Sequence, residues 1–386
     1  MIPYGRQNIN QADMDAVLEV LRSDFLTQGP LVPAFEDAVA VYCGAKHAVA
    51  ANSATSALHI ACLALGLGKG DIAWTSPITF VASANCVQYC GAMIDFVDID
   101  PNTYNMSVDY LAEKLVDAEK AGILPKVVIP VHLCGQPCEM AQIHSLSLQY
   151  GFKIIEDASH ALGGRYKGKP IGNGLYSDIT VFSFHPVKII TTGEGGIAVT
   201  NNASLAEKMS MLRSHGITYD NASMQQQEPE EIWNYQQIDL GFNYRMSDIH
   251  AALGLSQMQR LDTFVAQRHT IASKYNLMLS GLPVVIPFQH RNGYSSFHLY
   301  VICLKLNAIN KTHRQVFETL HLAGIGINVH YIPVHMQPYY QKFGFKRGDF
   351  PVAEDYFSKA ISLPIFPDLT YKQQDIVIGT LNRIFD

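Results

Sequence analysis

The chain has 386 residues, with 28 Lys and Arg against 34 Asp and Glu, a net charge of −6. Charged residues are 16% and hydrophobic ones 48%, against about 25% charged in an ordinary soluble domain, so the chain has much to bury, a subunit interface included. The acidic balance argues against a nucleic-acid face and against a polybasic membrane anchor; no apolar run reaches the ~20 residues that span a bilayer.

The N-terminal stretch MIPYGRQNINQADMDAV lacks the basic and apolar parts of a signal peptide. The expectation is a cytoplasmic globular protein with neither nucleic acid nor membrane as partner. A helix over 12–22 carries Met14, Val17, Leu18 and Leu21. Apolar runs of strand length follow at 47–50, 72–75, 93–97, 127–131, 153–156, 179–184 and 196–200. Helical patterns lie between the early ones, at 54–66, 78–90, 107–120 and 139–149. In 107–120, Val108, Leu111, Ala112 and Leu115 recur at helical spacing. Continuous apolar strands alternating with helices predict an α/β fold, a mainly parallel sheet covered on both faces. Ligands of such sheets gather at the carboxyl ends of the strands.

Residues 201–214 read as another helix. Residues 215–240 are polar, with Gln225, Gln226, Gln227, Glu228, Glu230 and Glu231, and read as a solvated loop or one that crosses to a partner subunit. Helices are predicted at 247–262 and 264–280. A strand at 298–304, a helix at 312–323, a strand at 325–331 and helices at 352–360 and 371–383 predict a smaller α+β unit. The division proposed is a large domain, 1–255, and a small one, 256–386, with the N-terminal helix free to pack on the latter. Seven cysteines have no framework spacing. Cys134 and Cys138 flank a Gly-Gln-Pro turn, but no Cys/His cluster completes a metal site.

Three short stretches carry chemistry. Asn52-Ser53-Ala54-Thr55-Ser56 follows the first strand and opens a helix, whose free N–H groups and dipole attract an anion. Glu156-Asp157-Ala158-Ser159-His160 puts a carboxylate at a strand end. Lys188 follows the strand at 179–184, between Ser183 and the turn Thr191-Thr192-Gly193, 31 residues past Asp157. Singly, each has a plainer reading: a helix cap, another cap and a surface charge. Beside Ile189 and Ile190, however, a half-buried lysine loses proton affinity and becomes a nucleophile and base. Together, in this order, they meet the needs of pyridoxal phosphate. The helix start takes the phosphate, the carboxylate keeps the pyridine nitrogen protonated, and the lysine bonds to the aldehyde carbon. Phe80, in Ser76-Pro77-Ile78-Thr79-Phe80, is the candidate to stack on the ring.

On these motifs the chain resembles the DegT/DnrJ/EryC1/StrS sugar aminotransferases, within the fold type I pyridoxal phosphate enzymes. Leu26-Thr27-Gln28-Gly29-Pro30, Glu194-Gly195-Gly196 and Gly241-Phe242-Asn243-Tyr244-Arg245-Met246 extend the likeness over essentially the whole chain. The resemblance implies a seven-stranded, mainly parallel sheet between helices. It implies that Lys188 is the covalent anchor and proton shuttle, that Asp157 pairs with the pyridine nitrogen, and that His160 lies near the ring hydroxyl. It also implies that Ser53, Ala54, Thr55 and Ser183 hold the phosphate, while Asn243 reaches the cofactor of a neighbouring subunit in a homodimer with shared sites. L-glutamate would be the amino donor, with pyridoxamine phosphate as the intermediate cofactor form.

Within the family, the stretch Phe182–Thr192, Arg213-Ser214-His215-Gly216 and Val329-His330-Tyr331 look most like transaminases of pseudaminic acid synthesis. These aminate C4 of a UDP-linked 4-keto-6-deoxy-N-acetyl sugar. That likeness places Tyr4, Asp24, Thr27, Val329, His330 and Tyr331 at the nucleotide sugar. Three alternatives remain. A sister enzyme making 4-amino-arabinose or perosamine shares every cofactor residue. A dehydratase of this fold would carry His in place of Lys188. A non-catalytic regulator would usually bring a basic DNA-binding domain.

Overall fold

The computed structural model describes residues 1–220, 222, 224, 225 and 233–385. Gln226, Gln227, Glu228, Glu230 and Glu231 of the polar segment lie outside the described residues. Among the described residues, no helix is long and apolar enough to cross a membrane.

Seven strands build the main sheet: β1 (His47–Ala51), β2 (Ile72–Thr75), β3 (Met93–Phe96), β4 (Val127–Ile129), β5 (Lys153–Asp157), β6 (Ile179–Ser183) and β7 (Gly196–Thr200). Their spatial order is β1-β7-β6-β5-β4-β2-β3. Only β7 runs against the rest, pairing antiparallel with both β1 and β6. All three residues of β4 and all five of β7 are buried, as expected of strands covered on both faces.

Helices α1 (Gln11–Arg22), α2 (Leu31–Cys43), α3 (Ala54–Ala64), α4 (Ala82–Tyr89), α5 (Val108–Ala121), α6 (Met140–Tyr150) and α7 (Ala203–Arg213) surround it. The sequence explains α5 well. Ser107 caps its start by accepting from the Tyr110 amide, Gly122 ends it at φ 69°, and Leu111, Leu115 and Ala118 form its buried stripe. Such a cap contributes about 1 kcal/mol.

Helices α8 (Asp248–Met258) and α9 (Leu261–Leu279) lead to the second unit. There β8 (Val284–Val285), β9 (Tyr300–Leu304) and β10 (Ala360–Leu363) form a three-stranded sheet with β9 central. Strand β9 is buried on both faces. Tyr300, Ile302 and Leu304 enter one core with α10 (His313–Leu322) and α13 (Tyr371–Phe385), while Val301 and Cys303 face the core of the main sheet. The division proposed at 255–256 falls inside α8, three residues before its end. Helix α9 enters both cores, with Leu261, Phe264 and Val265 in one and Ile271, Ala272 and Tyr275 in the other.

Two expectations fail. Residues 325–331 form no strand: Ile325 and Asn328 make single bridges, to Ile2 and Ser362. A Cβ on Gly326 would stand 2.8 Å from the Ile2 carbonyl, so this segment closes around the N-terminus instead of joining a ladder. The helix expected at 352–360 is short, α12 (Pro351–Phe357), and its last residue belongs to β10. The N-terminus is strapped to this unit, since the Ile365 amide donates to the Tyr4 carbonyl at 3.0 Å. That strap carries Tyr4 to the site.

Candidate active site

The carboxyl ends of β1, β5 and β6 and the opposite-running start of β7 meet at one cavity of about 630 Å³. Tyr4, Ser53, Ala54, Thr55, Phe80, Asp157, His160, Ser183, Lys188, Val329, His330 and Tyr331 all line it. Asp24, Thr27 and Asn243 do not; all three are exposed. Thr27 bridges Ser247, and Asn243 bridges Ser214.

Two adjacent carboxylates end β5 and point oppositely, as alternate strand residues must. Glu156 turns inward, bonded to His132 at 2.7 Å and Thr180 at 3.0 Å. Asp157 faces the cavity wall. Its Oδ2 accepts from Ser83 Oγ at 2.6 Å and its Oδ1 from the Ser159 amide at 3.1 Å. Thr79 Oγ1 in turn donates to Ser83, 2.7 Å away.

Lys188 sits half-buried in the loop joining β6 to β7. Its amide donates to the His185 carbonyl at 2.9 Å, while Thr191 Oγ1 donates to the Phe184 carbonyl at 2.9 Å and accepts from the Gly193 amide. The loop is thus closed on itself. Burial pulls the Lys188 ammonium down to about 8, against the opposing pull of Asp157.

At the start of α3, Ser53 Oγ accepts from the Ser56 amide at 3.1 Å. The preceding Ala54 and Thr55 amides have no intrahelical carbonyl to reach. Gly196 lets this helix start sit against β7: a Cβ there would stand 2.3 Å from the Ala54 nitrogen. Phe80 presents its ring at 58% exposure, 6.2 Å from Tyr331 between centroids.

A short relay lines another wall. The Cys134 amide donates to His160 Nδ1 at 3.2 Å, which makes that nitrogen an acceptor. Burial, with Lys188 and His330 nearby, pushes the His160 imidazole well below its usual range. The ring is therefore neutral with its proton on Nε2, which donates to the Tyr331 hydroxyl at 3.1 Å. Tyr331 keeps its own proton for a ligand. His330 is fixed by Ser362 at 2.7 Å, and burial takes it down to about 3. The ring of His298 packs 4.4 Å from that of His160.

Sequence reasoning missed Ser83, Cys134, His298 and Gln337. Ser83 carries a weak signal, a small polar residue three positions past Phe80 at a helix start. The others reach the site only through tertiary contacts. Among the described residues, no group of three or more His, Cys, Asp or Glu is placed to hold a metal, and all seven cysteines are free.

A lysine of lowered proton affinity, a buried carboxylate fixed by two hydrogen bonds, uncommitted helix-start amides and an open aromatic ring in one cavity fit pyridoxal phosphate. Fold and site together define a pyridoxal phosphate-dependent aminotransferase. The chain matches the DegT/DnrJ/EryC1/StrS aminotransferase family over residues 7–382 and belongs to it; it is a sugar aminotransferase. The chain is 38% identical to the UDP-4-amino-4,6-dideoxy-N-acetyl-beta-L-altrosamine transaminase of Campylobacter jejuni, covering 100% of this chain and 98% of that one. It is also 38% identical to the spore coat polysaccharide biosynthesis protein SpsC of Bacillus subtilis, with coverage of 99% and 97%. Among solved structures, Helicobacter pylori PseC, an aminotransferase of pseudaminic acid biosynthesis, superposes with a TM-score of 0.90 at 32% identity, covering 100% and 99%. The sugar aminotransferase Spr1654 of Streptococcus pneumoniae in its PMP form also gives 0.90, at 29% identity and the same coverage.

Proposed function

We propose that this enzyme moves the amino group of L-glutamate to C4 of a UDP-linked 4-keto-6-deoxy-N-acetyl sugar, the chemistry named for its Campylobacter relative. One observation carries the reading furthest: among the described residues lining the cavity, none is arginine. A site built around an α-amino acid's carboxylate favours a bidentate arginine. Glutamate brings a carboxylate to this site, but the keto-sugar ring that accepts the nitrogen brings none, so an arginine clamp serving both substrates would be misplaced. Polar groups such as Tyr331, His330 and Tyr4 suit the sugar's hydroxyls.

Pyridoxal phosphate, when bound, supplies the electron sink that lets an amino group leave one carbon skeleton and join another. The Ala54 and Thr55 amides, with Ser53 and Ser183, hold its phosphate. Asp157, fixed by Ser83 and the Ser159 amide, would hold a proton on the pyridine nitrogen. Phe80 covers the ring, and His160 orients the Tyr331 hydroxyl. Lys188, its ammonium lowered to about 8, would anchor the cofactor and carry the proton between substrate and cofactor carbons.

Asn243, Asp24 and Thr27 act across a homodimer interface. Supporting this, Phe25, Leu26 and Leu240 near them are 53%, 49% and 76% exposed, an apolar surface that a second copy covers. The rival reading is a sister transaminase with another sugar; the relative named for spore coat polysaccharide biosynthesis is as similar to this chain as the altrosamine transaminase. An assay with glutamate against UDP- and dTDP-linked 4-keto sugars separates them. A site with polar groups matched to the acetamido group rejects the sugar lacking it by up to ~10⁴. Equal rates on dTDP-4-keto-6-deoxyglucose, or nitrogen placed at C3, would refute the proposed sugar and leave the transaminase intact.

A further inference from the structure

We propose that Cys90, Cys62 and His59 form a peroxide-reactive thiol site, in which hydrogen peroxide oxidises Cys90 and Cys62 then closes a disulfide between α3 and the end of α4. None of the three lines the active-site cavity. His59 and Cys62 stand three residues apart on one face of α3, while Cys86 and Cys90 stand four apart where α4 ends. The two faces meet. The Cys62 thiol donates to Cys86 Sγ at 3.7 Å and interacts with Cys90 as well. His59 is buried, with Nδ1 3.2 Å from the Tyr244 hydroxyl and its ring 5.4 Å from that of Tyr89. Helix α4 is also held by the short helix α11 (Pro338–Gln341), whose Tyr340 hydroxyl donates to Asn85 Oδ1 at 2.6 Å. The thiols thus face one another across a fixed pair of helices.

Their surroundings divide the roles. Cys90 and Cys134 are partly exposed, and the other five cysteines are buried. Burial pushes the Cys134 thiol up, which leaves it inert. At Cys90 the Cys62 thiol and His59 outweigh burial and hold the thiol down to about 6. As a thiol, Cys90 donates to the Cys86 carbonyl at 3.2 Å, a weak bond that ionisation gives up. Cys86 and Cys90 push the Cys62 thiol the other way, so it keeps its proton at neutral pH. The Cys90 thiolate attacks one peroxide oxygen. The S–O bond forms, the O–O bond breaks, and hydroxide leaves to become water; sulfur loses two electrons and peroxide gains them. Cys62 then attacks the Cys90 sulfenic sulfur. The S–S bond forms, the S–O bond breaks, and the departing hydroxide takes the Cys62 proton. Two thiols and one hydrogen peroxide thus give a disulfide and two waters. The new bond joins the two helices whose first turns carry the Ala54 and Thr55 amides and Ser83, the donor to Asp157.

The test treats holoenzyme with hydrogen peroxide, blocks the remaining thiols with N-ethylmaleimide and maps the unreduced digest by mass spectrometry. The expected product is one pair of peptides linked through Cys62 and Cys90, which dithiothreitol separates. Cys62→Ser should leave Cys90 as the sulfenic acid, trapped by dimedone as a single adduct, and Cys90→Ser should give neither product. Ionisation is read independently, from the pH profile of Cys90 alkylation by iodoacetamide. In the natural sequence the rate should level off above about 6; in His59→Gln the midpoint should move toward the ~8.5 of an ordinary thiol. That shift is one a merely structural histidine would not produce. The inference is overturned by first oxidation at Cys134, by the absence of any disulfide, or by a link between Cys62 and Cys86 that forms as fast in Cys90→Ser. An alkylation midpoint that His59→Gln leaves unmoved would overturn the part given to the histidine.

Discussion

The cofactor wall and the outer rim are built differently. Asp157, Lys188 and the Ala54–Thr55 amides stand where strands of one sheet end, each locked by neighbours in the same chain: Ser83 at 2.6 Å, the His185 carbonyl at 2.9 Å, the Ser53 cap at 3.1 Å. Asp24, Thr27 and Asn243 stand exposed on connecting segments, away from the cavity. The register of a sheet dictates the first group. The second group does not line the cavity of its own chain, and its proposed role depends on a second copy docking. The lesson is that the cavity's chemistry is written into the rigid frame of one chain, while the rim residues take a role only in the proposed assembly.

The sharpest way to break this contrast is to remove Lys188. Lys188→Ala should still hold pyridoxal phosphate through the rest of the wall, yet lose at least ~10²-fold in turnover, the minimum for a positioned base. Steady-state rates and the cofactor's absorbance check it; retained turnover would demote the lysine. The rim is challenged next. Asn243→Ala should be impaired as a pure dimer, and mixing it with Lys188→Ala protomers should restore activity, because mixed dimers contain one site free of both changes. A mixture as inactive as its parents after confirmed subunit exchange would make each site complete within one chain.

Ser83→Ala probes the wall's second layer. It removes a hydrogen bond to a charged group, worth about 1.5–3 kcal/mol. The expected result is a fall of roughly tenfold in kcat with weaker cofactor retention, read by kinetics and dialysis. The smallest effect concerns pH. The neutral amine is the nucleophile, and burial takes the Lys188 ammonium down to about 8. The rate at which cofactor-free protein attaches pyridoxal phosphate should therefore rise with pH and level off above 8. An ordinary exposed lysine would still be climbing at ~10.

The same contrast governs what the sequence revealed. Asp157 and Lys188 were legible because the apolar runs 153–156 and 179–184 announce strands, and strand ends point at the ligand. Helix α2 was not: it starts at Pro30 without a side-chain cap and carries Pro33 in its first turn, so the usual start signal is missing. Ala360, the first residue of strand β10, was read as the tail of a helix, because it looks helical until β9 pairs with it, and the rest of the strand was given no element. Residues 325–331 look like a strand in composition, but their partners are Ile2 and Ser362, remote in sequence.

The most direct measurement is chemical. Purified protein with bound cofactor is reduced with borohydride, digested, and the modified peptide sequenced by mass spectrometry. The account predicts a single pyridoxyl adduct on Lys188. An adduct on any other lysine, or none, would contradict it.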